Sequence, residues 1–304
     1  MMQLLTRRCK LYYEDSAERF PEHYSKPAVL FINGWALSGR YWQPTIEELR
    51  HDCRCVTFDQ AGTGRTQFHE VKPPFTIEGF AEEASDLIEH LQLGVDAPLH
   101  IVGHSMGGMV AAEVFRRQRA RATTLTIIAC GIFEYGALEL RLQMKMLSAF
   151  IHATMKAKKL FKLAPLKQAF IAKATARPIP KQYEDILIED FLTVDDEAAI
   201  AVGTFSLRPD ISLAYIENLL SVEAPMCLIV GDKDKTIPPI GMSILFERRK
   251  AVSKAPTTLV RFPTLGHLPM LEDTPAFAAA MRQYVLNPAQ TTAQTAVFKT
   301  SEKV

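Results

Sequence analysis

The sequence has little of what several protein classes require. Its five cysteines make an odd count and are scattered through predicted strands, which excludes a disulfide framework and favours buried, reduced thiols. Cys53 and Cys55 stand two apart, without the second pair that a structural zinc site needs. No apolar run approaches the length of about 18 residues that a transmembrane helix requires. No internal repeat is present.

An excess of charge of one sign is also lacking. The chain has 35 basic and 34 acidic residues and no recognised nucleic-acid-reading module, so we do not expect it to bind DNA or RNA. Residues 1–13 include basic side chains but no apolar stretch of secretory length. With 304 residues, of which 48% are hydrophobic, the chain can bury a large core. We therefore expect a soluble, cytoplasmic protein.

Short apolar runs of strand-like composition alternate with helical patterns along most of the chain. This alternation predicts an α/β fold with a doubly wound, mostly parallel sheet that is covered by helices on both faces. A helix is expected over residues 77–93, with Thr76 as its amino-terminal cap and Gly94 as its stop. The predicted buried strands span residues 28–32, 53–58, 99–102, 124–129, 226–230 and 258–262.

The regular alternation breaks after Cys130 and resumes only near Ala224. The residues between them show helical patterns with little strand character, which predicts a helical cap inserted into the α/β core. A final segment rich in Thr, Gln and Lys has a composition typical of disorder. We therefore divide the chain into an α/β core of residues 1–131 and 223–287, a helical cap of residues 132–222 and a disordered tail of residues 288–304.

One short motif indicates a nucleophile. Residues 103–107, Gly-His-Ser-Met-Gly, follow an apolar strand and precede a helical pattern. A strand, a sharp turn and a helix with serine at the apex hold a hydroxyl clear of the sheet edge. The glycines let the strand and the helix approach closely and leave Ser105 in a strained conformation. A pattern this short occurs by chance in roughly one chain in ten of this length, so its partners elsewhere matter.

Two later loops supply those partners. A serine nucleophile needs a base within hydrogen-bond reach, and the base needs an acid that fixes its tautomer. The predicted strand 226–230 runs into a loop with two carboxylates, Asp232 and Asp234. The predicted strand 258–262 is followed by a loop in which His267 comes after a glycine. The chain order serine, acid, histidine is the one that a strand–turn–helix serine site requires.

Together these segments resemble the α/β-hydrolase fold superfamily, in particular its serine esterases, over nearly all of residues 10–287. In that family the acid is usually the fourth residue of a G-x-x-D loop, which implies Asp234, with Asp232 as the alternative. The base sits in a Gly-His loop before a helix, which implies His267. The resemblance therefore implies a catalytic triad of Ser105, His267 and Asp234.

An oxyanion hole is expected beside the serine, because backbone N–H groups stabilise the negative charge that forms on an attacked carbonyl oxygen. One donor is the amide of Met106, directly after the nucleophile. By resemblance, the second is the amide of Trp35, in a segment where the family usually carries His-Gly and this chain has Asn33 and Gly34. The substitution by Asn33 leaves open which hydrogen bond replaces that of the histidine.

The expected function is that of a serine esterase, which forms an acyl-enzyme and needs neither a cofactor nor a metal ion. The substrate is expected to be a small-molecule ester or thioester. Apolar residues of the cap predict a lined pocket for an acyl group of medium length. The candidate pocket residues are Leu37, Phe133, Met144 and Phe150.

Two alternatives stay open at this point. The run from Gly34 to Leu37 resembles that of pimeloyl-carrier-protein methyl ester esterases, which implies a hydrolase of carrier-protein or CoA acyl esters and thioesters. The other alternative is a hydrolase-like receptor whose cap closes on a ligand with little turnover. The presence of all three catalytic residue types favours an enzyme over the receptor.

The predicted cap also has an uneven charge distribution. Residues 141–181 include ten Lys or Arg and no acidic residue, whereas residues 182–197 include seven acidic residues and no basic one. A solvated face balanced by the acidic stretch is the simpler interpretation. The other interpretation is a basic surface that docks on a membrane or an acidic partner. Its residues Lys156, Lys158, Lys159 and Lys162 would suit an acyl-carrier protein or an anionic acyl substrate.

Overall fold

The computed structural model describes residues 2–132, 137–287 and 294–300, with the backbone alone for residues 137–144 and 147. Over these residues the chain forms one sheet with helices on both faces. Its strands are β1 Met2–Leu5, β2 Cys9–Asp15, β3 Ala28–Ile32, β4 Arg54–Phe58, β5 Gln67–Phe68, β6 Leu99–His104, β7 Ala122–Ile128, β8 Met226–Gly231, β9 Thr257–Phe262 and β10 Gln294–Val297.

The sheet has the order β1-β2-β4-β3-β6-β7-β8-β9-β10, with β5 paired to β2. Strands β4, β3 and β6 to β10 run parallel to one another, whereas β2 pairs antiparallel with each of β1, β4 and β5. Every residue of β3, β4, β6 and β8 is buried, as expected for strands covered on both faces. The prediction of a doubly wound, mostly parallel sheet is confirmed.

Helices cover both faces of this sheet. Over the described residues they are α1 Ser16–Arg19, α2 Gln43–Leu49, α3 Ile77–His90, α4 Gly107–Arg117, α5 Ala137–Lys156, α6 Ala164–Ala174, α7 Lys181–Thr193, α8 Asp196–Gly203, α9 Pro209–Ser221, α10 Ile240–Val252, α11 Pro269–Glu272 and α12 Thr274–Tyr284. One apolar core includes residues of α3, α4 and α10, and the other includes residues of α2 and α12. Each sheet face therefore has its own core.

Helix α3 shows how local sequence sets an element boundary. Thr76 lies just outside the helix with extended backbone, and its hydroxyl accepts a hydrogen bond from the Gly79 N–H at 3.0 Å. This bond satisfies one of the amides that the first turn leaves free. The helix ends at His90, three residues before the predicted end, and Gly94 then adopts a positive φ of 75°.

Between β7 and β8 the described residues form helices joined by short non-helical connections, and we call α5 to α9 the inserted helices. Strand character is absent from their described residues, as the sequence pattern predicts. A small apolar cluster below them joins Ile151, Met155 and Phe191 to Ala36. The inserted helices therefore contact the loop that follows β3.

Residues near the carboxyl end correct one expectation. Residues 294–297 form β10, which pairs in parallel with β9, so the prediction of disorder throughout residues 288–304 is wrong for this part. The ring of Phe298 lies 5.6 Å from that of Phe262 and 6.0 Å from that of Tyr284. This aromatic contact and the strand pairing stabilise a segment whose composition alone indicates disorder.

Two further predictions concern membrane-spanning helices and the state of the cysteines. Among the described residues, no helix combines the length and the apolar character needed to cross a membrane. All five cysteines are buried free thiols, as expected from their number and spacing. Burial raises the pKa of the Cys130 thiol to about 11, so this thiol is protonated at neutral pH.

Candidate active site

Ser105 stands at the turn between β6 and α4 with a φ of 54°, a left-handed conformation that is unusual for a residue with a side chain. Its N–H donates to the carbonyl of Ile128 at 2.8 Å, which holds the turn against the end of β7. A Cβ on Gly103 would lie 2.5 Å from that of Ala111, and one on Gly107 would collide with the Asn33 carbonyl. Both glycines are therefore required by the close approach of strand and helix.

The predicted nucleophile, base and acid meet at this turn. The Ser105 Oγ lies 2.9 Å from His267 Nε2, and His267 Nδ1 lies 2.7 Å from Asp234 Oδ2. The three residues come from turns that follow β6, β9 and β8, so their distance in sequence is bridged by the parallel sheet. All three are buried, with 5%, 6% and 7% of their surface exposed.

The hydrogen bonds also assign the tautomer of the base. Asp234 Oδ1 accepts the N–H groups of Thr236 at 2.7 Å and Ile237 at 2.9 Å, and these two bonds fix the orientation of the carboxylate. Its other oxygen accepts from His267 Nδ1–H, because an ionised carboxylate has no proton to donate. His267 Nε2 then carries the lone pair and accepts the hydroxyl proton of Ser105.

Asp232, the alternative acid, points elsewhere. One of its carboxylate oxygens lies 2.8 Å from Nη2 of Arg261, on the neighbouring strand β9. The structure thus brings Asp234 to the histidine and gives Asp232 an arginine partner.

The turn after β3 carries the predicted oxyanion donors. Ala36 adopts a positive φ of 58°, and a Cβ added to Gly34 would lie 3.3 Å from that of Ser105, so this turn adjoins the nucleophile. Within the described part of the chain, the amides of Trp35 and Met106 donate to no other group. Met106 also directly precedes α4, whose amino end favours negative charge. The two amides are therefore available to an oxyanion.

Asn33 replaces the expected histidine with hydrogen bonds of its own. Its side-chain amide donates to the Phe58 carbonyl at 2.6 Å, and its Oδ1 accepts from Trp42 Nε1 at 3.1 Å. These contacts tie the start of the turn to the end of β4 and to the buried indole. In place of the hydrogen bond expected from the histidine, Asn33 thus makes two hydrogen bonds to buried partners.

A hydrogen-bonded relay that the sequence did not reveal connects this turn to the base. The Gly34 N–H donates to Tyr41 Oη at 3.3 Å, Tyr41 Oη lies 3.2 Å from His104 Nδ1, and His104 Nε2 lies 2.9 Å from the His267 carbonyl. A carbonyl only accepts, so His104 Nε2 carries a proton and Nδ1 accepts from the tyrosine. Burial and the nearby His267 hold the pKa of His104 well below its usual value, so the ring is neutral.

A buried carboxylate connects the histidine loop to the inserted helices. Glu272 accepts the N–H groups of Gly266 at 2.9 Å and Leu268 at 3.2 Å on either side of the base, and those of Ala176 at 2.8 Å and Arg177 at 2.9 Å just after α6. The backbone of the base adds its own bond, because the His267 N–H donates to the Ala174 carbonyl at 3.0 Å.

A second buried carboxylate holds the turn after β3, residues 33–38, which carries the predicted oxyanion donor Trp35 and which we call the oxyanion turn. Asp190 of α7 accepts the Ser38 N–H at 2.8 Å and the Ser38 hydroxyl at 2.7 Å, and it pairs with Arg40. Burial raises the pKa of Asp190, while Arg40 and Ser38 oppose the rise. The Trp35 indole donates to the Ala199 carbonyl at 2.7 Å. The inserted helices are thereby bonded to the turn that presents the predicted oxyanion donors.

The predicted pocket residues are not all brought to this site. Leu37 is buried in the oxyanion turn, whereas Phe150 is 65% exposed on α5. Phe133 and the Met144 side chain lie outside the described residues. A narrow cavity borders Gly34 and Ala36, and its volume of about 10 Å³ fits about one water molecule. Among the described residues, no group of histidine, cysteine and acidic side chains could hold a metal ion.

Comparison with known families places most of the chain in one of them. The model of the alpha/beta hydrolase family matches residues 29–280. Sequence relatives include proteins named "putative carbamate hydrolase RutD" from Yersinia enterocolitica, 31% identical over 106 residues, and from Agrobacterium fabrum, 33% identical over 102 residues. The two matches cover 34% of this chain and 35% and 38% of the relatives, so the chain matches little more than a third of their length.

Solved structures resemble the chain over nearly its whole length. An esterase from Exiguobacterium antarcticum superposes with a TM-score of 0.69 at 16% identity, covering 91% of this chain and 95% of that one. An enol-lactonase from Burkholderia xenovorans gives a TM-score of 0.67 at 16% identity, covering 93% and 99%. At this level of identity the likeness concerns the fold alone.

Proposed function

Because the chain belongs to the alpha/beta hydrolase family, we propose that it is a serine hydrolase that cleaves carboxylic esters with an acyl group of medium length. The observation that carries the proposal is the pair of hydrogen bonds from Ser105 to His267 at 2.9 Å and from His267 to Asp234 at 2.7 Å. A hydroxyl that donates to a neutral, carboxylate-oriented imidazole is an activated nucleophile for acyl transfer.

In the first step Ser105 Oγ attacks the ester carbonyl carbon while His267 Nε2 takes the hydroxyl proton. The resulting imidazolium lies beside Asp234, whose negative charge stabilises it. The carbonyl oxygen becomes an oxyanion, for which the Trp35 and Met106 amides are the proposed donors, each worth roughly 3 to 4 kcal/mol. His267 then gives its proton to the departing alcohol, and the acyl group stays on Ser105.

In the second step water attacks the acyl-enzyme. His267 takes a proton from the water as it attacks, the oxyanion forms again on the same amides, and Ser105 leaves with the proton that the imidazole returns. Both steps use side chains and backbone N–H groups of this chain, so we propose no cofactor or metal ion.

Carbamate hydrolysis is the second candidate, and the similarity to the RutD proteins favours it. A carbamate carbonyl can be attacked by the same serine and stabilised by the same amides, because it differs from an ester only in the nitrogen attached to the carbonyl carbon. Because the matched segments cover only about a third of those relatives, ester hydrolysis stays the first candidate function.

The alternative of a carrier-protein or CoA acyl ester or thioester rests on the run from Gly34 to Leu37. It shares the nucleophile and differs in the leaving group. A direct comparison of substrates therefore distinguishes among esters, thioesters and carbamates.

The test is a chain-length series of p-nitrophenyl esters, run beside the matching acyl thioesters and p-nitrophenyl carbamates. We expect the largest kcat/KM for esters of medium chain length, and a loss of about a millionfold in kcat in Ser105→Ala. Ser206→Ala, an exposed serine next to α9, is the matched control and should keep full activity. A folded wild-type protein that turns over none of the three substrate classes would contradict the proposal and favour the receptor.

A further inference from the structure

The outward face of α5 carries apolar side chains that the described part of the chain leaves exposed. Met146 is 66% exposed and Phe150 65% exposed, and Ala149 and Ala153 are exposed beside them. At about 100° per residue these four positions share one helix face. Ile151 and Met155, on another side of α5, are buried in the apolar cluster below the inserted helices. The exposed face is therefore not the one that attaches α5 to the protein.

Further large apolar side chains are exposed on the segment that follows α5. A 3-10 turn, Lys158–Lys162, follows α5 and contacts both α5 and α6. Leu160 in this turn is 53% exposed, Leu163 after it is 57% exposed, and Leu166 at the start of α6 is 38% exposed. We call the five large exposed side chains of α5 and this segment the apolar ridge: Met146, Phe150, Leu160, Leu163 and Leu166.

The segment of the chain that carries the apolar ridge has charges of one sign. Residues 141–181 contain no acidic residue. Lys158 and Lys167 pair with Asp196 and Asp185 of the acidic stretch, which agrees with the interpretation of partial charge balance. Four exposed lysines have no carboxylate partner in the described part of the chain: Lys145, Lys156, Lys159 and Lys162.

We propose that the apolar ridge and these four lysines dock the protein on an anionic lipid membrane. Lysine ammonium groups attract anionic headgroups, and their long apolar stems let them stay at the surface while neighbouring apolar side chains enter the lipid. Large apolar side chains that stand exposed suit this, since lipid tails adapt to any shape whereas a protein partner must supply matching pockets. The proposal goes beyond hydrolysis and does not depend on the reactivity of Ser105.

The test is co-sedimentation of the full chain with vesicles of phosphatidylcholine containing a quarter of phosphatidylglycerol, and with vesicles of phosphatidylcholine alone. We expect binding to the anionic vesicles that is at least tenfold tighter and weakens as added salt shortens the Debye length. Replacing Lys156, Lys159 and Lys162 by Gln together should weaken it by about a hundredfold, since each lysine contributes about fivefold. Phe150→Ser should weaken it by about tenfold.

Matched controls come from surfaces away from the ridge. Leu213→Ser on α9, where Leu213 is 60% exposed, and Lys250→Gln on α10 change the same residue types and should bind the vesicles as the wild type does. Ser105→Ala should also bind like the wild type, so failure of the proposed chemistry and failure of docking are separable. Circular dichroism checks that each variant is folded.

Equal affinity for the two vesicle types, or unchanged binding by the folded lysine and Phe150 variants, would overturn the proposal. So would an absence of vesicle binding together with binding of a purified acidic acyl-carrier protein that the lysine variants lose. In that case the ridge is a protein interface.

Discussion

The carboxyl edge of the sheet and the inserted helices contribute to the candidate site in different ways. Ser105, Asp234 and His267 stand on turns that directly follow buried strands, between two apolar cores. The inserted helices join the histidine turn through the buried Glu272 and the turn after β3 through the buried Asp190, and they leave large apolar side chains exposed. The reactive groups thus stand on the sheet, whereas the inserted helices are joined to it by apolar packing and by a few buried polar contacts, so the two can be perturbed separately.

The largest effect is expected from the acid at the sheet edge. Asp234→Asn removes the charge that fixes the His267 tautomer, and kcat should fall by about ten-thousandfold with little change in fold. Asp232→Asn is the matched control, since this aspartate pairs with Arg261, and it should cost less than about tenfold. Steady-state kinetics with the best ester measures both. The reverse ranking would mean that Asp232 is the acid.

Glu272 joins the sheet edge to the inserted helices and should give the next largest effect. In Glu272→Gln the side-chain NH₂ group faces backbone N–H groups that now lack an acceptor. Each buried N–H group left without an acceptor lowers the stability of the fold by about 1 to 3 kcal/mol. We expect a loss of roughly 3 kcal/mol in the free energy of unfolding, measured with urea. The exposed Glu247→Gln is the control. A loss as small as that of the control would show that the carboxylate does not hold the two parts together.

Acid sensitivity should also differ between the two regions. Burial lowers the pKa of His100 in β6 from 6.5 to about 4, so the folded state resists a proton that the unfolded chain takes up. Above pH 6.5 the neutral His100 costs the folded state nothing relative to the unfolded chain. As the pH falls from 6.5 towards 4, His100 lowers the free energy of unfolding by about 1.4 kcal/mol per pH unit.

The His100→Gln change should therefore reduce the slope of unfolding free energy against pH over that interval by about 1.4 kcal/mol per unit. His152→Gln, which removes an exposed histidine from α5, should leave the slope as in the wild type. Urea unfolding at a series of pH values provides the comparison. Equal slopes in the two variants would contradict the role given to burial in the sheet.

The smallest effect concerns the relay between the oxyanion turn and the base. Tyr41→Phe removes the hydroxyl that connects the Gly34 amide to His104, and we expect kcat to fall by about tenfold with KM unchanged, as for one lost buried hydrogen bond. Initial rates measured over a range of ester concentrations, up to saturation, separate kcat from KM. A change in KM alone would indicate that the tyrosine shapes the binding of substrate rather than the position of the turn.

Much of the sheet and the triad geometry could be anticipated, because the signals are local. The predicted strand 28–32 is observed without change, and the others differ by two residues or fewer at either end. Ser105 was found from the glycines around it, and the turns that carry Asp234 and His267 directly follow apolar runs. A parallel sheet then brings such turns to one edge, which is why three distant segments could be placed together.

Elements that depend on distant partners could not be anticipated. Strand β1 is half exposed, and β10 has a polar composition, so each is stabilised by pairing with a neighbour rather than by an apolar run. Asp190 belongs to an acidic stretch whose pattern indicates a solvated surface, yet it is buried against a serine 152 residues earlier. The relay through His104 depends on ring orientations, which the periodic pattern of apolar residues does not predict.

The central claim is that Ser105 is a nucleophile activated by the histidine beside it, and its most direct test is labelling with a fluorophosphonate followed by mass spectrometry of the digested protein. The account predicts one label per chain on the peptide that contains Ser105, and no label on the folded Ser105→Ala variant. A folded wild-type protein that stays unlabelled, or a label carried by another serine, would contradict it.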